Sequence, residues 1–269
     1  MSASIPRRHD AEVPLTGGTT NHGLVVRMGA TVRRPARPTS PATAALLQHL
    51  ADVGFPGAPR PLGIDAEGRE VLSYIPGVAV TPPYPSWALT DDALVSVAWL
   101  LRRYHQAVAT FDPEPHTWPP SPPAPFGIGP VVAHNDPNLD NVVFRDGRAV
   151  ALIDFDLASP AAPVWDVAAA ARLWAPLRPD SAIGDARAGR ALVRLRLFVD
   201  AYGLVGPDRD LLVDAVMSNH DWSYDIVGQG AAAGRPGFQK YWTQQNAARA
   251  RLTRQWYVDN DQQLRAALA

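Results

Sequence analysis

Cysteine is absent from this chain of 269 residues, which excludes disulfides, thiolate metal sites and a cysteine nucleophile. No uncharged apolar run approaches the ~20 residues that a membrane-spanning helix needs. The formal net charge is only -1, so the sequence carries no excess of positive charge for nucleic acid or an anionic membrane. Residues 1–15 contain no apolar segment of the export type, and we therefore expect a cytoplasmic protein with neither partner. The sequence leaves the oligomeric state open.

Lysine is almost absent as well, because Lys240 is the only one and arginine carries nearly all the positive charge. The chain is 46% hydrophobic and 19% charged, which is typical of a globular protein and not of a disordered one. Any site before residue 240 that needs a cationic side chain must therefore use arginine or histidine.

The order of elements predicts an α+β protein with two lobes. Residues 1–76 read as short strands with one helix, for which Ser40 is the predicted cap and Gly54 lies just past the end. Within this block a hairpin is predicted around Glu67 and Gly68. Residues 77–89 form a proline-rich linker. Residues 90–269 read as a mostly helical lobe, whose first helix begins near Thr90.

The segment 131–156 carries the polar residues of greatest interest. Asp146-Gly147 lies between two apolar runs and predicts a two-residue hairpin, with Phe144 opposite Ala149 and Asn141 opposite Leu152. Alternation of side chains then places Asp154 on the same face as Asn141, ~7–8 Å away. An amide oxygen and a carboxylate are hard ligands suited to Mg²⁺, whose shell phosphates commonly complete.

Phosphoryl transfer requires a carboxylate to orient and deprotonate a hydroxyl, and a metal to neutralise the phosphate oxygens. His134-x-Asp136, followed by Asn141 and later by Asp154, supplies these groups in the order of a kinase catalytic loop. The spacing H-x-D-x-x-x-x-N is moderately specific alone. The strand, turn and strand that lead to Asp154 make it a strong indication of a phosphotransferase.

This stretch, with Trp165-Asp166-Val167-Ala168 after it, resembles the aminoglycoside phosphotransferase family, a branch of the protein-kinase-like fold. The similarity is clearest over 131–170. It implies a small β-rich lobe that binds ATP or GTP and a larger helical lobe that binds the acceptor. It also implies that Asp136 is the catalytic base and that Asn141 and Asp154 bind Mg²⁺. By the same resemblance Asp166 is structural and His134 braces the loop.

The resemblance also suggests where the nucleotide binds. Gly17 and Gly18 precede a strand, where a glycine turn can cover phosphates, and the backbone of Ser73 and Ile75 falls at the hinge that holds the base. The strand lysine that kinases use for phosphate is missing, and Arg34 is the expected substitute, with Arg33 as the alternative. The helix over 39–51 has no glutamate to serve as the usual partner of that cation.

The leading hypothesis is a small-molecule kinase that transfers the γ-phosphate of ATP or GTP to a hydroxyl of an antibiotic-like, sugar or amino-alcohol acceptor. The alternative is a catalytically degenerate kinase-like protein that binds nucleotide, which the missing lysine and glutamate favour. A metal hydrolase using His134 and Asp136 ranks third, since the other histidines follow no ligand spacing. An acidic, aromatic helix face is formed by Asn219, Asp221, Trp222 and Asp225. It is either a solvated surface or the face that receives a cationic or hydroxylated acceptor.

Overall fold

The computed structural model describes residues 11–15 and 24–269. Its strands are β1 Val13–Pro14, β2 Val26–Met28, β3 Thr31–Pro35, β4 Pro61–Ile64, β5 Arg69–Ser73, β6 Val78–Ala79, β7 Val131–Ala133, β8 Val142–Arg145, β9 Arg148–Leu152 and β10 Ser159–Ala161. Its helices are α1 Ser40–Asp52, α2 Asp91–Val108, α3 Pro163–Trp174, α4 Ala191–Tyr202, α5 Pro207–Ala232, α6 Pro236–Tyr241, α7 Gln244–Asp259 and α8 Asp261–Leu268.

The first lobe is an antiparallel sheet in the order β1-β2-β3-β5-β4, with α1 beside it. The hairpin of β4 and β5 turns around Glu67 and Gly68 as predicted, and Gly68 adopts the left-handed conformation (φ 76°) that its tight turn requires. The apolar stripe of α1, Leu46, Leu47 and Leu50, is buried. The predicted cap was wrong by one residue, because Thr39 holds the cap position and the Ser40 hydroxyl accepts the backbone N–H of Arg37 instead.

The hairpin of β8 and β9 lies between the two lobes and also pairs with β6, inside the predicted linker. Asp146 and Gly147 both have positive φ (50° and 74°), as a type I′ turn demands. Phe144 faces Ala149 as predicted. Beyond that pair β9 contains one extra residue, so Val142 and not Asn141 lies opposite Leu152.

The helical lobe is built around α2 and α3. Thr90 caps α2, and its hydroxyl accepts the backbone N–H of Ala93 (3.2 Å). The helix buries an apolar face that includes Leu94, Leu101 and Tyr104 against α4 and the β8–β9 hairpin. The core side of α3 is covered by α5. The helical stretch predicted over 238–268 consists of parts of α6, α7 and α8.

No helix within residues 11–15 and 24–269 is both long enough and apolar enough to span a bilayer.

Candidate functional site

We call residues 134–141 the Asp136 loop, and Asp166 anchors its beginning. Asp166 lies in the first turn of α3, fully buried, and its carboxylate accepts the backbone N–H groups of His134 (2.8 Å) and Asn135 (2.9 Å). The ring of His105 on α2 lies 3.0 Å from the same carboxylate. Burial alone would raise the pKa of Asp166, but these hydrogen bonds hold it below its ordinary value. The beginning of the loop is therefore held by a buried, charged carboxylate, which is a structural role of the kind that the resemblance implied for Asp166.

His134 braces the loop against the end of β9. Its Nε2 donates to the carbonyl of Ile153 (3.0 Å), and its Nδ1 accepts the backbone N–H of Asp136 (3.3 Å). Burial lowers the pKa of His134, so the neutral ring that this pattern of donor and acceptor requires is also the favoured form. Both ring nitrogens are thus used for positioning, and neither is directed to proton transfer.

The Asp136 carboxylate is fixed by two amide side chains. Asn141 Nδ2 donates to Asp136 Oδ2 (3.0 Å) and to the Asp136 carbonyl (2.9 Å), while Asn138 Nδ2 donates to Oδ1. Burial and then the charge of Asp140 raise the pKa of Asp136 to about 6, against the opposing charge of Arg172. A fixed carboxylate with a pKa just below neutrality suits a general base.

Asn141 and Asp154 both line a cavity of about 440 Å³. Their placement does not follow from the alternation of side chains along two paired strands. Asn141 ends a 3₁₀ turn before β8, and its carbonyl accepts the backbone N–H of Ile153 (2.9 Å). Asp154 then leaves the strand in the left-handed conformation (φ 63°), which is uncommon outside glycine but tolerated by aspartate.

The same cavity opens between the lobes and has the size of a small-molecule site. Its walls are formed by apolar residues of both lobes and by the segment after β5; they include Val25, Val32, Leu72, Ser73, Tyr74, Ile75, Val143 and Ile153. The N–H of Ser73 donates to the carbonyl of Arg60 (2.9 Å), so it is already in use. Ile75 is the better placed of the two predicted hinge residues. Gly17 and Gly18 lie outside the described residues.

Arg34 also lines the cavity, and it is buried with 6% of its surface exposed. Its Nε bonds to Glu70 (2.8 Å), and its Nη1 lies 2.8 Å from Asp156 and 3.3 Å from Asp154. Burial lowers the pKa of Arg34, but Asp156, Asp154 and Glu70 together raise it above its ordinary value. Arg33 lies elsewhere, 3.6 Å from Asp65. Of the two arginines, Arg34 is the one that lines this cavity.

Glu70 is the partner that the sequence did not reveal. The helix over 39–51, where the resemblance placed this partner, has no glutamate. Glu70 comes instead from the neighbouring strand β5 and lies directly opposite Arg34 in the register of β3 and β5. Only 4% of its surface is exposed. An alternation argument finds Glu70 only once β3 and β5 are known to be adjacent, and 33 residues separate the two strands.

Comparison with known proteins gives a consistent result. The sequence model described as the phosphotransferase enzyme family matches residues 116–202. The trifolitoxin immunity protein of Rhizobium leguminosarum bv. trifolii is 35% identical over 214 residues, which cover 77% of this chain and 80% of that protein. The chain belongs to the phosphotransferase enzyme family. It is a small-molecule phosphotransferase, as the motif of the Asp136 loop predicted.

Solved structures confirm the bilobal, protein-kinase-like α+β fold of this phosphotransferase. A mutant of aminoglycoside 2′-phosphotransferase-IIIa in its GDP complex matches with a TM-score of 0.63 at 13% identity, over 95% of this chain and 94% of that one. A choline/ethanolamine kinase family protein from Mesorhizobium loti matches with a TM-score of 0.63 at 16% identity, over 98% and 95% of the two chains.

The carboxylates of the phosphotransferase fit a divalent cation. Asp154 carries a raised pKa, first because it is buried and then because Asp156 and Asp136 lie near it, against the opposing charge of Arg34. A metal bound at Asp154 and Asn141 would relieve this repulsion. Among the described residues, no group of three or more His, Asp or Glu side chains is arranged to hold a metal unaided. A metal at Asp154 and Asn141 would therefore need further ligands from outside the protein, and phosphates and water commonly supply them to Mg²⁺.

Proposed function

We propose that this chain transfers the γ-phosphate of ATP or GTP to an alcohol group of a small molecule. The observation that carries the proposal is the Asp136 carboxylate, which two amide side chains orient beside a cavity lined by Asn141, Asp154 and Arg34. In one step the acceptor oxygen bonds to the γ-phosphorus, the bond from that phosphorus to the nucleoside diphosphate breaks, and the hydroxyl proton passes to Asp136.

Each polar residue has one task in this proposal. Asp136 orients the acceptor hydroxyl and takes its proton. Asn141 and Asp154 hold Mg²⁺, which neutralises phosphate charge when it is bound. Arg34, which Glu70 holds in place, points its guanidinium toward the phosphates, and Ile75 presents its backbone to the base. The requirement for a nucleoside triphosphate favours a cytoplasmic location.

The alternative of a degenerate nucleotide-binding protein loses its main support. It rested on the absence of a strand lysine and of a helix glutamate. Arg34 and Glu70 supply a buried cation and its acidic partner from adjacent strands. Arginine is also suited to a phosphate, because its planar fork donates two parallel hydrogen bonds.

One relative suggests a class of acceptor for this chain. That relative is named for immunity to trifolitoxin. Phosphorylation of a hydroxyl changes the charge of a toxic molecule, and it is therefore one way in which a phosphotransferase protects its host. We include a toxic natural product among the acceptors to be tested, with trifolitoxin as the first.

A thermal-shift titration with ATP and with GTP, each with and without Mg²⁺, tests the proposal. We expect a stabilisation that depends on Mg²⁺, that selects the preferred nucleotide and that survives in Asp136→Asn. Transfer of labelled γ-phosphate to an acceptor panel is then expected from the parent and not from that variant. If neither nucleotide stabilises the parent at millimolar concentration, the proposed function is wrong.

A further inference from the structure

Asp156 lies two residues after Asp154, and both of its carboxylate oxygens contact arginines of the first lobe. Its Oδ1 is 2.8 Å from Nη1 of Arg34, and its Oδ2 is 2.6 Å from Nη1 of Arg37. The Asp156 side chain is also less exposed than that of Asp154. Asp154 lines the cavity between the lobes together with Asn141 and Arg34, whereas Asp156 and Arg37 lie outside its lining. The two neighbouring carboxylates therefore have different surroundings.

The 3₁₀ turn that carries Asp156 follows β9 and is anchored in the helical lobe. On one side of Asp156, the buried ring of Phe155 packs against His134, with 4.6 Å between the ring centroids. On the other side, the carbonyl of Leu157 accepts a hydrogen bond from Asn135 Nδ2 (2.7 Å). The position of Asp156 is thus fixed relative to the Asp136 loop, which contains both His134 and Asn135.

Arg37 belongs to the first lobe, in the segment between β3 and α1. Its backbone is fixed to the start of α1, because its N–H donates to Ser40 Oγ (2.9 Å) and its carbonyl accepts the N–H of Ser40 (3.0 Å). Arg34 lies on β3 in the same lobe. The two ion pairs of Asp156 therefore join the lobes beside the cavity.

The guanidinium of Arg34 is held at two of its nitrogens. Glu70 accepts from Nε (2.8 Å) within the first lobe, and Asp156 holds Nη1 from the helical lobe. A planar group that is fixed at two points keeps one orientation. Asp154 lies farther from the same Nη1, at 3.3 Å. Without Asp156, the charge of Arg34 would be drawn toward Asp154, which is the proposed metal ligand.

We propose that Asp156 is a positioning residue for Arg34 and not a metal ligand, and that Arg37 acts on the nucleotide site only through Asp156. This inference rests on the proposed function, because the task of Arg34 is to meet the nucleotide phosphates. Asp156 keeps the guanidinium of Arg34 in the cavity and away from the oxygens of Asp154. Arg37 occupies the second oxygen of Asp156, so that the first oxygen stays directed at Arg34. The affinity for nucleotide therefore depends on an arginine that does not line the cavity.

Calorimetric titration at saturating Mg²⁺ tests this inference, with ATP or GTP according to which one stabilises the parent. Arg37→Gln is expected to weaken nucleotide binding about three- to tenfold, because the charge that holds Asp156 is lost. Arg37→Lys, which keeps that charge, should bind nucleotide within about twofold of the parent. Arg148→Gln is the matched control, since it removes the same charge from an exposed position at the start of β9, and it should bind like the parent.

The same substitutions made in Arg34→Ala separate positioning from metal binding. With no guanidinium left to position, Asp156→Asn and Arg37→Gln should each change the remaining Mg²⁺-dependent nucleotide binding by less than about twofold, because effects that act through one shared partner are not additive. A larger loss in Asp156→Asn would make Asp156 a metal ligand and would overturn the inference. Arg37→Gln in the parent decides the case in which the other variants do not fold. Its side chain is 26% exposed, and we expect its Tm to lie within about 2 °C of the control.

The remaining outcomes are also decisive. If Arg37→Lys binds nucleotide as weakly as Arg37→Gln, the charge of Arg37 does not carry the effect and the inference is wrong. If the parent binds nucleotide and Arg37→Gln binds it as tightly as Arg148→Gln does, the failure belongs to this inference alone. If the parent binds neither nucleotide, the proposed function fails, and the inference fails with it because Arg34 then has no phosphate to meet.

Discussion

Replacing Glu70 by glutamine tests how the first lobe holds the guanidinium of Arg34. Glu70 is the partner of Arg34 across β3 and β5, with 2.8 Å between Oε2 and Nε, and both side chains are buried. In Glu70→Gln an amide oxygen can still accept from Nε, but the negative charge is lost. Arg34 keeps Asp156 at 2.8 Å and Asp154 at 3.3 Å, so its guanidinium is then attracted only toward these two carboxylates.

The magnitude follows from the partners that remain. Removal of one partner from a buried ion pair costs ~3–5 kcal/mol when the other charge is left alone. Because Arg34 retains two carboxylates and one neutral hydrogen bond, we expect a smaller loss of ~1–2 kcal/mol in the free energy of unfolding. For a chain of this size that lowers Tm by roughly 2–4 °C. We expect the KM for the nucleotide to rise about tenfold, or ~1.4 kcal/mol, with a smaller change in kcat.

Thermal melts and nucleotide saturation kinetics measure both effects. Glu67→Gln is a matched control, because it makes the same chemical change on the same hairpin at a side chain that is 66% exposed and lies 3.6 Å from Arg69. If Glu70→Gln shows the Tm and nucleotide KM of this control, Glu70 does not position Arg34 and the role assigned to the pair is refuted.

Four further outcomes are expected. Asp136→Asn should lower kcat by roughly 10²–10⁴-fold with nucleotide affinity unchanged, and equal turnover would remove Asp136 from the mechanism. Asp154→Ala should abolish the Mg²⁺-dependent part of nucleotide stabilisation in a thermal-shift assay; unchanged binding would place the metal elsewhere. Arg34→Ala should weaken nucleotide binding more than Arg33→Ala, and calorimetry that gives the reverse order would contradict the site. Asp166→Asn should destabilise the fold by ~3–5 kcal/mol at pH 7. Since the folded pKa of Asp166 is depressed, its contribution is present above the ordinary value of ~3.9 and is lost below it, so the gap between the melting curves of variant and parent should narrow under pH 4.

Much of the site is determined by residues close together in sequence. The Asp136 loop, the turn at Asp146 and Gly147, and the position of Asp154 after β9 lie within 21 residues, between His134 and Asp154. Turn chemistry and spacing act over such distances, so the α+β class and the family could be predicted without coordinates. Helix α2 could also be predicted from the sequence, because a capping threonine and an apolar stripe are local signals.

Tertiary structure alone decided which distant groups meet. The extra residue in β9 displaced Asn141 from its predicted partner, and yet Asn141 and Asp154 both line the same cavity. Glu70 became the partner of Arg34 only when β5 paired with β3. Periodicity shows which face of an element is apolar, whereas packing determines which elements become neighbours. The contacts between residues distant in sequence therefore follow only from the tertiary structure.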